Sequence, residues 1–153
     1  KKKIASVSKH VPGHGCSNSD SHLNLPIVYK KKSKLYKEDF SLFKNLSSNF
    51  MMTAHILYKN VDSKNLATFS NNIINQIIRK KLNFKGILIS DDISMKALSK
   101  NLSINADKAL NAGCNLVLYC GGNIKESSKL LKNLRTIDEF TQKKTYQFYN
   151  FLR

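Results

Sequence analysis

Apolar residues follow two rhythms along this chain. Short unbroken runs (Phe50-Met51-Met52, Ile87-Leu88-Ile89, Leu116-Val117-Leu118-Tyr119) alternate with longer stretches in which apolar positions recur every three or four residues. The runs are bounded by turn residues and predict strands, the last two covered on both faces. Residues 4–8 (IASVS) predict a further short strand, stopped by Pro12 and the two glycines of Gly13-His14-Gly15. The helical rhythm appears over 34–46, with Leu35, Phe40, Leu42, Phe43 and Leu46. It returns after Ser70, a candidate cap, with the stripe Ile73, Ile74, Ile77, Ile78 and Leu82. Further helices are predicted around 95–98, over 104–112 with Gly113 at the C′ position, over 124–134, and over 138–151.

Four strands alternating with helices, with polar loops at the strand ends, predict an α/β fold with a parallel sheet. Such sheets bind ligands beyond the carboxyl ends of their strands. An eight-stranded barrel takes about 250 residues, so four β/α units here amount to half of one. The chain also opens Lys1-Lys2-Lys3-Ile4 without a methionine and enters strand-like sequence almost at once. It therefore reads as a piece of something longer. Gly13-His14-Gly15 lacks the spacing of a phosphate-binding loop, which argues against a nucleotide domain.

Composition narrows the partners. Of 153 residues, 26 are basic and 10 acidic, a formal net charge of +16. That surplus alone suggests a polyanion. Yet arginine occurs only at positions 79, 135 and 153, and bidentate phosphate or guanine recognition favours arginine. The lysines are spread along the whole chain, so nucleic acid is not expected as a partner. No run of about 18 apolar residues exists, so no membrane span is expected. Cys16, Cys114 and Cys120 are too few and too scattered for a disulfide framework, and predict reducing surroundings.

The candidate chemistry gathers at predicted strand ends: Lys9-His10, His55, Ser90-Asp91-Asp92 and Cys120. An apolar strand delivering two adjacent carboxylates at its tip leaves two readings. Both cap the following helix, or one serves as nucleophile or base while the other supports it. Asp20-Ser21-His22 offers an acid–base pair, because a nearby carboxylate can orient an imidazole that exchanges protons near neutrality. His10, His14, Cys16, Asp20 and His22 lie close together in sequence, but their spacing matches no common zinc pattern, and no metal is expected.

These segments together resemble the family 3 glycoside hydrolases. The matching stretches are Lys9-His10-Val11-Pro12-Gly13-His14-Gly15, Asp20-Ser21-His22 with Leu25-Pro26, and Met52-Thr53-Ala54-His55-Ile56. Ala67-Thr68-Phe69-Ser70, Phe84 through Met95 and Ala112-Gly113-Cys114-Asn115 complete the set. Within the family the chain is similar to bacterial β-N-acetylhexosaminidases that trim muropeptides in peptidoglycan recycling. The resemblance implies a partial catalytic domain over 1–153, the C-terminal half of a TIM-type (β/α)8 barrel. The N-terminal barrel half would be required in cis or in trans, and the isolated chain would be inactive or nearly so.

The resemblance implies Asp91 as nucleophile, His22 as general acid/base on a loop paired with Asp20, and Lys9 and His10 as ligands of the sugar hydroxyls. His14, His55, Asp62 and Asp92 are assigned to loop structure or support. It further implies retaining hydrolysis of terminal N-acetylglucosamine without cofactor, by a cytoplasmic enzyme. Two other readings stay open: a broader β-glucosidase-like hydrolase of the same family, disfavoured by the Asp20–His22 pair, and a basic, non-catalytic polyanion-binding protein, disfavoured by the adjacent carboxylates.

Overall fold

The computed structural model describes residues 3–17 and 24–153. Its strands in chain order are β1 (Val7–Val11), β2 (Ile27–Val28), β3 (Phe50–Thr53), β4 (Leu57–Tyr58), β5 (Ile87–Asp92) and β6 (Leu116–Leu118). Four of them form one parallel sheet in the order β1-β3-β5-β6, and β2 pairs with β4 in a small parallel sheet beside it. The α-helices are α1 (Lys32–Glu38), α2 (Leu102–Ala112), α3 (Ile124–Asn133) and α4 (Glu139–Leu152); a further helix, Asn72–Lys81, is wound as a π-helix. Alternating strands and helices around a four-stranded parallel sheet are the architecture of part of a (β/α)8 barrel.

The two faces of the sheet differ. Ser8, Met51 and Leu88 lie in one register row, and Met51 and Leu88 are buried. They share a core with Ile73, Ile74, Ile77 and Ile78 of the π-helix and Ala109 and Ala112 of α2. Successive side chains of a strand point to opposite faces. The next row, Lys9, Met52, Ile89 and Leu116, is accordingly exposed or only half-buried. Among the described residues β1 and β6 each pair on one side only.

Most predicted elements form, with instructive exceptions. The Ser70 hydroxyl accepts from Ile73 N (3.0 Å), and the whole isoleucine stripe is buried. Gly113 closes α2 at φ 116°, a backbone conformation that a side chain disfavours. The helix expected over 34–46 is instead α1 followed by a 3-10 turn, Phe40–Phe43, because Asp39 turns inward at the break. Residues 95–98 form turns closed by Leu98 N donating to Met95 O (3.0 Å), not a helix. The first strand runs later than expected, Val7–Val11 rather than 4–8. Strand β6 is half-buried rather than covered on both faces, because it stands at the sheet edge.

Candidate active site

Three strand ends converge. His10 lies near the end of β1, His55 follows β3, and Asp91 and Asp92 end β5. His10 Nε2 stands 3.6 Å from Asp91 Oδ2, and the Asp91 side chain is only 14% exposed. Asp91 Oδ1 accepts from the Asp92 amide (2.8 Å). Asp92 turns the other way: its carboxylate accepts from Ser94 N (3.0 Å), the Ser94 hydroxyl (2.8 and 2.7 Å) and Cys120 N (3.1 Å). The two carboxylates thus take different partners. Asp92 ties the turn after β5 to the end of β6, and Asp91 keeps one oxygen facing the histidine.

Burial lowers the pKa of His10 against the opposing pull of Asp91, and the nearby Lys9, His14 and His55 lower it further. At neutral pH its imidazole is therefore uncharged, a hydrogen-bonding group rather than a cation. Lys9 is exposed on the same strand. The His14 ring lies 5.5 Å from that of His10. Cys120, exposed, is held as a thiol: partial burial and the charges of Asp92 and Asp91 raise its pKa.

The loop after β1 is seated on a group that the sequence reading missed. Asp39 is buried beneath it, and its Oδ1 accepts from Gly15 N at 3.4 Å. A Cβ at Gly13 would collide with the Asp39 carboxyl group, so only glycine fits there. The Tyr58 hydroxyl donates to the Gly13 carbonyl. No local signal marks Asp39, an isolated aspartate after a lysine-rich helix. Thr53 and Thr68 were missed as functional too: Thr68 Oγ1 lies 2.8 Å from His55 Nδ1 and 2.9 Å from Thr53 Oγ1.

Asp20 and His22, the proposed acid–base pair, lie outside the described residues. Among the described residues no group of three His, Cys, Asp or Glu side chains could hold a metal ion, and no helix is long and apolar enough to cross a membrane. Two cavities lie away from Asp91. One of about 370 Å³ sits at the amino ends of β3 and β5, and one of about 420 Å³ lies beside β6. The His10–Asp91 cluster lines neither. It lies half-buried at the carboxyl ends of the strands.

A four-stranded parallel sheet with polar side chains gathered at the strand carboxyl ends places the protein in the α/β class and fits part of a (β/α)8 barrel. Comparison with known proteins makes the class specific. A family model described as the glycosyl hydrolase family 3 N terminal domain matches residues 1–146, and the chain belongs to that family. A Beta-hexosaminidase of Haemophilus influenzae is 41% identical over 123 residues, covering 76% of this chain and 35% of that protein. One from Shewanella frigidimarina is 37% identical over 127 residues, covering 79% and 37%. Among solved structures, CbsA from Thermotoga neapolitana superposes with a TM-score of 0.85 at 30% identity, over 98% of this chain and 38% of that one. NagZ from Neisseria gonorrhoeae in complex with N-trifluoroacetyl-D-glucosamine gives 0.82 at 28% identity, over 99% and 43%. The chain thus spans between 35% and 43% of the length of these four relatives.

Proposed function

We propose that this chain supplies the chemical half of a retaining β-N-acetylglucosaminidase acting on muropeptides or related glycosides in cytoplasmic peptidoglycan recycling. We assign it to the C-terminal half of the family barrel, working with a complementary N-terminal half joined in cis or supplied in trans. The observation that carries the reading is Asp91: a shielded carboxylate at the tip of a central strand, with Oδ2 turned toward His10 rather than consumed by a cap. Membership of a family whose relatives include Beta-hexosaminidases supplies the reaction class.

In this mechanism Asp91 attacks the anomeric carbon while His22, as imidazolium, protonates the departing oxygen. A covalent glycosyl-enzyme forms. Neutral His22 then takes a proton from water, which displaces Asp91 with net retention. Asp20 stabilises the charged ring and aims it, and general acid–base help of this kind contributes about 10²–10⁴-fold. Lys9 and neutral His10 hydrogen-bond the ring hydroxyls. No cofactor enters either step.

The test is turnover of 4-nitrophenyl N-acetyl-β-glucosaminide by the chain combined with an N-terminal barrel half, with the first anomer released followed by NMR. Retention is expected, together with loss of turnover in Asp91→Asn and no turnover by the isolated 153-residue chain. Inversion, or an Asp91→Asn assembly as active as the parent, would sink the assignment. A glucoside cleaved faster than the N-acetylglucosaminide would favour the β-glucosidase-like reading instead.

A further inference from the structure

We propose that His55, as a neutral imidazole donating its Nε2 proton to the Asp92 carbonyl, is a positioning residue that locks the tip of β5 and keeps Asp91 aimed at His10. The inference rests on the reading of Asp91 as nucleophile, and extends it to the group that holds the nucleophile still.

The tip of β5 is tied on both flanks. On the β3 side, His55 Nε2 holds the Asp92 carbonyl at 3.0 Å. On the β6 side, the Cys120 amide holds the Asp92 carboxylate at 3.1 Å. Asp92 is therefore fixed through its main chain in one direction and its side chain in the other. Its own amide in turn takes Asp91 Oδ1, which leaves Asp91 Oδ2 as the oxygen free to react. Without His55 the Asp92–Ile93 peptide is held only from its far end, by Ile93 N donating to Leu118 O (2.9 Å), so the backbone at Asp92 can shift, and with it the Asp92 amide that orients the Asp91 carboxylate.

Hydrogen-bond directions fix the tautomer. A carbonyl only accepts, so Nε2 carries the proton, and Nδ1 of a neutral ring must accept. The Thr68 hydroxyl, 2.8 Å away, supplies that proton, and Thr53 in turn donates to Thr68 Oγ1. A charged ring could be accommodated geometrically, since Thr68 can redirect its proton to the Ala54 carbonyl at 3.1 Å. What selects the neutral form is burial: His55 is 0% exposed, and desolvation lowers its pKa against the opposing pull of the Asp92 carbonyl and the charges of Asp91 and Asp92. A neutral pin also suits the chemistry. An imidazolium here would stabilise the Asp91 anion and blunt its attack.

NMR of the 153-residue chain tests the pin without needing turnover. The His55 ring is expected as the Nε2–H tautomer with a slowly exchanging proton, titrating below the ordinary histidine value. An Nδ1–H tautomer, or an imidazolium at neutral pH, overturns the proposal, and this measurement needs no variant to fold. Two variants then separate aiming from packing. Gln can bring an amide donor to the Nε2 position, whereas Asn falls short of it. The His10 titration reports the aim, because the Asp91 charge raises it while burial, Lys9, His14 and His55 lower it. Both variants remove the lowering contribution of His55 itself, so the aim is read from the difference between them: the His10 midpoint should lie lower in His55→Asn than in His55→Gln, and equal behaviour of the two overturns the proposal.

In an active barrel, His55→Asn should lower kcat by about 10–100-fold with KM nearly unchanged, as a small misplacement of a reacting group does. His55→Gln should recover most of it, and a loss carried by KM alone overturns the positioning role. If the parent assembly shows no turnover, the hydrolase reading falls, while the tautomer and the His10 shift still decide whether His55 pins the strand.

Discussion

The two poles of the parallel sheet are both rich in polar groups, yet they use them differently. At the amino pole, Arg79 donates to the carbonyls of Gly86 (2.7 Å) and Phe84 (3.3 Å) and to Asn115 Oδ1 (2.6 Å), and its guanidinium lies between the Phe84 and Phe140 rings. Asn115 Oδ1 also takes Leu88 N, and Asn115 Nδ2 donates to Thr141 on α4. This network spends its capacity on its own chain and joins the π-helix, β5, β6 and α4. At the carboxyl pole, Asp92 is spent in the same way, but Asp91 keeps a carboxylate oxygen in reserve. Asp39 shows that spare capacity alone is not enough. Its Oδ2 has no hydrogen-bond partner at all among the described residues, but the residue is buried under the Gly13–Gly15 loop, whereas Asp91 Oδ2 faces His10. A reactive group needs an unspent atom and access together.

The sharpest way to break this contrast is to change one residue at each pole. Asp91→Asn preserves Oδ1 and its bond to the Asp92 amide, so the urea midpoint of the chain should barely move. In an active barrel the same change should cost about 10⁴-fold or more in kcat/KM. Arg79→Leu should do the reverse. Removing a charged donor with three acceptors should cost about 2–4 kcal/mol in urea unfolding, since the two carbonyls and Asn115 stay partly buried without it. Activity should follow only through the folded fraction. A destabilising Asp91→Asn, or an Arg79→Leu chain as stable as the parent, would show that the poles do not divide in this way.

A smaller effect sharpens the amino-pole half of the contrast. Gly113 joins α2 to β6 at φ 116°, and a Cβ there would come within 2.9 Å of Ile74 Cγ2. Gly113→Ala should therefore cost about 1–2 kcal/mol, measured by urea unfolding, with no change in the His10 titration at the far pole. Coupling between the two would mean that the sheet transmits strain from one end to the other.

What could be read from the sequence follows the same division. The strand runs, the isoleucine stripe and the glycine cap were legible because periodicity and a positive φ leave local marks. The pairing of Asp91 with His10 was legible only as a shared address at strand ends, since 81 positions of sequence separate residues brought to 3.6 Å. Asp39 left no mark, and Thr53 and Thr68 stood inside stretches that carry the resemblance without any sign of what they do, because all three roles come from tertiary neighbours. The helix expected over 34–46 failed for a related reason: spacing suggested one helix, whereas burying Asp39 under the loop breaks it in two. The small β2–β4 sheet was invisible because each strand is two residues long.

The last and smallest effect separates the poles by pH. At the carboxyl pole, His10 and His55 have folded-state pKa values below the ordinary 6.5, burial being the leading cause in each. Below that value the unfolded chain binds more protons than the folded one, so stability is full above about pH 6.5 and is lost as pH falls toward the folded values. At the amino pole, the Thr141 hydroxyl and amide hold the Asp138 carboxyl below the ordinary 3.8. Its contribution is present above about pH 3.8 and is lost only as pH falls through its depressed folded value. The urea midpoint should therefore decline in two stages, the first setting in near pH 6.5 and the second only below about pH 3.8. His55→Gln should flatten the first stage and leave the second. Asp138→Asn should flatten the second, which Asp62 and Glu38 share because their carboxyls are also depressed. A first stage unchanged by His55→Gln would leave His10 as the group that titrates there, and the response of the carboxyl pole near neutrality would belong to the histidine beside Asp91 rather than to the buried one.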